Sequence, residues 1–130
     1  MAEKSGTLSI YGFGPTNNQA STYKIPVSTY TMLAIDIHEL VTSVGAYLFN
    51  GLVDVKTVTI PASMETIDST AFTGCISIEK IIFDGTKEPK SCTNAFSMTK
   101  GVTVIVPDEY EGNSFCGLSI IKRRSELSQS

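Results

Sequence analysis

The stretch "TIPASMETIDSTAFTGCISIEKIIF", Thr59 to Phe83, holds the plan of the whole chain. It is bounded by two short alternating segments, Thr57-Val58-Thr59-Ile60 and Lys80-Ile81-Ile82-Phe83, and such alternation sends successive side chains to opposite faces of a strand. Pro61 directly follows the first segment, where its missing amide proton and fixed φ end the strand. Ser69-Thr70-Ala71-Phe72-Thr73-Gly74-Cys75 reads as a tight helical or 3₁₀ turn, with Ser or Thr as cap and Gly as terminator.

Outward from this stretch the pattern recurs. Val41 to Ser63 realigns with Met64 to Thr86 under a 23-residue shift, so that Val44 falls on Ile67, Leu48-Phe49 on Ala71-Phe72, Gly51 on Gly74 and Leu52 on Cys75. A third copy, Lys87 to Glu109, keeps Val104 and Val106 in register, although its Ala95-Phe96 pair arrives one residue late. Met98 occupies the column of Leu52 and Cys75. Extended backwards, the register gives two apolar columns: Ile35, Val58, Ile81, Val104 and Ile37, Ile60, Phe83, Val106. Stacked parallel, four such rungs form a continuous core that no single repeat could bury alone.

These residues resemble the bacterial-surface-antigen (BspA-like) class of leucine-rich repeats, whose unit has the form "I-P-x-S-[VM]-x-x-I-x-x-x-A-F-x-x-C-x-x-L-x-x-[IV]". Thr59 to Phe83 fits that form nearly position for position, and Val104 to Leu127 resembles the Val-Pro-Asp turn and closing segment with which such arrays end. The resemblance covers residues 35 to 127. It implies a mainly β fold with short helical or 3₁₀ turns, a short leucine-rich-repeat solenoid of about four rungs. It also implies a display scaffold of the kind found in bacterial surface proteins, anaerobic protists and phage-encoded proteins.

Residues 1–34 stand apart from the repeats. Thr7 to Tyr11 alternates, Gly12 to Asn18 is dense in turn formers, and Thr22 to Val27 alternates again, which predicts an N-terminal β-hairpin acting as cap or docking arm. The expected organisation is therefore a cap or arm over 1–34, a solenoid with its closing segment over 35–127, and a tail over 128–130.

Composition agrees with this reading. The 130 residues are 42% hydrophobic and 18% charged, which is too apolar for a disordered chain, and no apolar run is long enough to span a membrane. Isoleucine and valine fill the columns, while serine and threonine supply turns and outward positions. A net charge of −3 offers no basic stripe for nucleic acid, and Lys122-Arg123-Arg124 reads as solvation near a terminus. No secretory signal is recognisable at Met1 to Gly6, so the expected location is a virion or the cytoplasm, with the cell surface as the alternative. Cys75, Cys92 and Cys116 are spaced unlike zinc ligands; reduced thiols are the default reading, and a Cys92–Cys116 bridge stays open.

Catalytic signals are sparse. His38 lies beside Asp36 and Glu39, an acid and a histidine within reach of proton-transfer work, but no nucleophile accompanies them, and its ladder equivalents are loop entries. An exposed or capping histidine is expected. Gly12-Phe13-Gly14 lacks the rest of a phosphate loop, and Asp108-Glu109-Tyr110-Glu111 lacks the alternating oxygen ligands of a calcium loop. No catalytic residue, metal or cofactor is expected. The expected partner-binding face is the outward side of the sheet: Ala34, Thr57, Lys80 and Thr103 in one column, and Asp36, Thr59, Ile82 and Ile105 in the next. Ile82 and Ile105 would be exposed side by side unless covered by another chain or by Leu118 to Ile121. The function expected is a non-enzymatic structural or attachment protein that makes protein–protein contacts and assembles with itself or with a larger particle, foremost a phage virion component such as a decoration, fibre or tail-associated protein, with a bacterial adhesin binding host protein or glycan as the alternative.

Overall fold

The computed structural model describes residues 5–10, 14, 15, 31–96 and 101–123. Ten strands are found among them: β1 (Ser5–Ile10), β2 (Gly14–Pro15), β3 (Thr31–Ile37), β4 (Val41–Val44), β5 (Thr57–Ile60), β6 (Thr66–Ile67), β7 (Lys80–Phe83), β8 (Thr103–Pro107), β9 (Ser114–Phe115) and β10 (Leu118–Arg123). The principal sheet has the order β1-β3-β5-β7-β8-β10-β9, and all its pairings are parallel except the last. The chain is a short solenoid of the kind the repeat predicts.

The register is that of the 23-residue shift. Ile35 pairs with Val58, Val58 with Ile81, and Ile81 with Val104, and all four are completely buried. Ile60 pairs with Phe83 in the neighbouring inward column. The ladder is longer than four rungs. At one end β1 pairs in parallel with β3, setting Leu8 on Ile35 and Ile10 on Ile37, and at the other β10 pairs with β8, setting Ile120 on Val104. The first arm of the expected N-terminal hairpin is thus a parallel rung; the second arm, Thr22 to Val27, lies outside the described residues, as does Met98.

A second, smaller sheet runs alongside in the order β2-β4-β6, with Val44 on Ile67 and an added bridge from Thr66 to Lys90. Its inward residues Val41, Val44 and Ile67 face the same core. The third side is the Ala-Phe turn. There the amides of Ala71, Thr73 and Cys75 each donate to the carbonyl three residues earlier, the pattern of 3₁₀ turns, and no described residue is in a regular helix. The cap is Asp68 rather than a Ser or Thr: its carboxylate accepts from the Thr70 amide and hydroxyl. Phe49, Phe72 and Phe96 stack through this side with centroids 5.1 and 4.7 Å apart. Gly74 ends its turn at φ +84°, and a Cβ there would come within 3.2 Å of the Gly51 backbone one coil away, so both coils need glycine.

The late Ala95-Phe96 pair has a simple cause. Thr66 already bridges to Lys90, one position beyond the regular shift, so the extra residue sits in the bend at 84–89. It is taken back before β8, where Ile81 meets Val104 in the regular register. The final coil is shorter, Val104 to Ile120, and is closed differently. Tyr110 sets its ring edge-on to Phe83 and donates its hydroxyl to the Ser114 carbonyl at 2.7 Å, while Phe115 packs on Phe83 at 5.0 Å. Cys92 and Cys116 are joined in a disulfide, which corrects the expectation of reduced thiols. The bond ties the last Ala-Phe turn to the closing segment, two pieces whose proximity no spacing rule in the sequence reveals.

Two stability outcomes are expected. Phe72→Ala removes the middle of the phenyl stack and should lower unfolding free energy by about 3–5 kcal/mol in urea denaturation. Cys92→Ala with Cys116→Ala opens a loop of 24-residue separation and should cost roughly 3 kcal/mol in the same assay, most of which a reductant alone should reproduce with the unaltered chain.

Candidate functional site

On a sheet buried along one face, the residues between the core columns face outward. The pairing places Ser9, Asp36, Thr59, Ile82, Ile105 and Ile121 in one such column, each on the next strand. Thr7, Ala34, Thr57, Lys80 and Thr103 form the adjacent column. Every sequence-predicted face residue is therefore brought onto one surface, in the order predicted. The first column changes character along its length, from Ser9, Asp36 and Thr59 to three successive isoleucines.

Ile82 and Ile105 are half-buried by their neighbours, whereas Ile121 is 57% exposed. The segment Leu118 to Ile121 does not lie across Ile82 and Ile105; as β10 it becomes the next rung and lengthens their stripe. Sequence reasoning missed Ile121 as part of the face because the last coil breaks the 23-residue shift. It also missed a second apolar pair, Val53 and Ile76, which are 46% and 60% exposed at equivalent places just after the turn glycines. Their 23-residue relation was visible, but an irregular turn has no periodicity that separates inside from outside.

The polar end of the face carries His38. Its imidazole Nε2 lies 3.5 Å from the Asp36 carboxylate, both side chains being about one-third to two-fifths exposed, and its backbone amide donates to the Ile10 carbonyl. Asp36, His38, Glu39, Thr59, Pro61 and Asp84 line a shallow open cleft here. Thr59 contributes the one hydroxyl side chain of that lining. Lys56 and Glu79 form an exposed ion pair across adjacent coils at 3.5 Å, beside the face rather than on it.

The remaining chemistry-bearing groups serve the core. Cys75 is fully buried in the Leu52 column, with its thiol donating to the Phe49 carbonyl at 3.1 Å, and burial pushes that thiol up to about 11 against the opposing pull of the Leu52 backbone. In the acidic run, Tyr110 is a core residue while Asp108, Glu109 and Glu111 are exposed. Among the described residues no three His, Cys, Asp or Glu side chains converge as metal ligands, and no helix is long and apolar enough to cross a membrane.

The family model for the BspA type leucine-rich repeat region fits residues 27–123 in six copies. No curated relative and no solved structure matches the chain. Repeats of this type are interaction modules that work by presenting a regular surface rather than by chemistry.

Because the thiolate is the reactive form, Cys75 should resist iodoacetamide in the folded protein at pH 8 and be labelled fully once the protein is unfolded in urea, as counted by intact mass. Rapid labelling in the folded state would contradict the burial described.

Proposed function

The chain belongs to the BspA-type leucine-rich repeat family, and on that premise we propose that it is a non-enzymatic attachment protein that binds another protein through the outward face of its principal sheet. The observation that carries this reading is the isoleucine stripe Ile82–Ile105–Ile121, an apolar strip on a rigid, otherwise hydroxyl-rich surface. Such a strip with a polar surround is the composition of an interface centre and its rim. Thr57, Thr59, Lys80 and Thr103 supply that surround, and Asp36 marks its acidic end.

The setting we propose is a phage virion, with the chain as a decoration, fibre or tail-associated component. The Cys92–Cys116 bond supports a particle or surface location over the cytoplasm, because disulfides persist in oxidising surroundings and are rare in reducing ones. The same bond, together with the family, supports a second reading, a bacterial surface adhesin for host protein or glycan.

Particles purified from the source should contain the chain, in non-reduced form, at a fixed ratio to the major structural proteins by quantitative mass spectrometry. Ile82→Lys with Ile105→Lys should reduce incorporation at least tenfold while the thermal unfolding transition persists. Recovery in the cell-wall fraction with none in particles would favour the adhesin. Normal incorporation of the double variant would remove the stripe as the binding surface.

A further inference from the structure

The isoleucine stripe ends on a strand that the core holds loosely. β10 carries Ile121, the most exposed isoleucine of the stripe, and it meets β8 at only four paired positions, Ile120 to Arg123. On its other side β9 pairs with it at two. None of its described side chains is fully buried: Leu118 and Ile120 are partly so, while Ser119, Ile121 and Lys122 are exposed. Lys122 stands opposite Val106, so an ammonium occupies the place where the inward apolar column would continue. The firm anchors lie just before the strand, where Phe115 and Cys116 are shut off from solvent.

Those anchors lead into a two-residue turn between β9 and β10, Cys116-Gly117, with φ +49° and +83°. Positive φ at both central residues marks the tight hairpin turn that Asn-Gly or Gly-Gly fills best, so the cysteine stands there against its backbone preference. The bond to Cys92 offsets that cost. The turn is seated on the last Ala-Phe turn, since a Cβ on Gly117 would come within 2.9 Å of the carbonyl oxygen of Thr93, the residue after Cys92. Gly117 has no side chain with which to grip that surface. Beside the Phe115 ring, the sulfur bridge is therefore what fastens the root of β10 to the repeats. The earlier rungs do not depend on it, because Val104 is already paired with Ile81 and the phenyl stack lies in the coils before β8.

We propose that Cys92–Cys116 is a redox latch on the end of the outward face. Reduced, β9 and β10 open away from β8 while the earlier rungs persist; oxidised, they are locked in place and Ile121 completes the stripe. The consequence for binding rests on the face proposed above, whereas the latch itself does not. Closing requires an oxidant of the disulfide class. The thiolate of one cysteine attacks the oxidant's S–S bond, forming a mixed disulfide and expelling one thiol, and the second cysteine then attacks that mixed disulfide, forming Cys92–Cys116 and expelling the other. Two cysteine thiols are oxidised, one small disulfide is reduced, and the two protons end on the released thiols. Once joined, Cys92 and Cys116 are 1% and 2% exposed, so a reductant reaches them only through the same opening. A chain made in reducing surroundings and carried into oxidising ones is locked by that passage.

Protein reduced with dithiothreitol, desalted and treated with iodoacetamide at pH 8 should be labelled at Cys92 and Cys116 about a hundredfold faster than at Cys75, as read by peptide mass spectrometry. Hydrogen exchange should quicken on reduction over residues 114–123 and stay unchanged over 57–83. Cys92→Ser with Cys116→Ser should show the open exchange pattern with and without reductant, and glutathione disulfide should restore the slow pattern in the unaltered chain only. The oxidised chain should enter particles at least tenfold better than the double serine variant. Three thiols that react together would mean global unfolding, and unreactive thiols after reduction would mean a static brace; either result overturns the latch. An open segment that enters particles as well as the closed one would overturn its control of binding and leave the face to its own test at Ile82 and Ile105.

Discussion

Neighbouring strands in a sheet lie about 4.8 Å apart, and in a parallel solenoid that single distance is imposed on everything the coils carry. Once Ile35, Val58, Ile81 and Val104 are hydrogen-bonded in register, the turns that join them must also repeat at one strand spacing. The phenyl rings of Phe49, Phe72 and Phe96 obey it, with centroids 5.1 and 4.7 Å apart on the side farthest from regular sheet. So do the backbones of the turns, where the Phe49 amide donates to the Ala71 carbonyl at 2.9 Å and the Gly51 amide to Thr73 at 2.8 Å. The crowding at Gly74 has the same origin: Gly51 sits directly over it, so its backbone would lie only 3.2 Å from a Cβ placed on Gly74.

A stack held by nearest neighbours is weakest at its ends. The C-terminal end departs from the repeat to meet that weakness. Its coil is shortened, Phe115 packs on Phe83 in the core, and Tyr110 fixes the bend through Ser114. The disulfide then joins this closing piece to the last regular turn, at Cys92, so the segment most prone to fray is tied covalently to one that the phenyl stack already holds. After Pro107 the chain leaves β8 for the antiparallel β9 and returns to the ladder as β10. The irregularity of residues 107–123 is therefore a condition of the regularity before it.

How much of this was legible follows from which features obey a period. The inward columns from Ile35 to Val106 and the outward face residues Asp36, Thr57, Thr59, Lys80, Ile82, Thr103 and Ile105 were readable, because alternation within a rung and a 23-residue shift between rungs fix both face and partner. The first rung was not, since the stretch from Leu8 to its partner Ile35 is longer than the repeat shift and so hides the match; the local alternation of Thr7 to Tyr11 was equally compatible with a hairpin arm. The second sheet was obscured because β2 and β6 are two residues long, too short to alternate. The disulfide joins a regular position to an irregular one, and the bond appears only once the closing segment is folded back onto the last Ala-Phe turn. At the cap, Asp68 and not a hydroxyl accepts from the first turn amide, which composition alone could not distinguish from Ser69 or Thr70.

The same constraint that fixes the inward columns leaves the outward ones free. An inward residue is chosen by the coils above and below it, and a polar side chain there would lose its hydration without recovering hydrogen bonds. An outward residue answers to nothing inside the fold, so a consistent trend along the outward column calls for a cause outside it. Ser9, Asp36 and Thr59 give way to Ile82, Ile105 and Ile121 in consecutive strands, although threonine would satisfy the strand as well as isoleucine does. Three adjacent apolar choices on a face with no core to fill are costly for solubility, and as cross-strand neighbours they return only a fraction of what an inward residue gains. The binding face proposed above is the part of the sheet where these three isoleucines stand, and the change from Ser9, Asp36 and Thr59 to isoleucine gives that face a direction along the ladder.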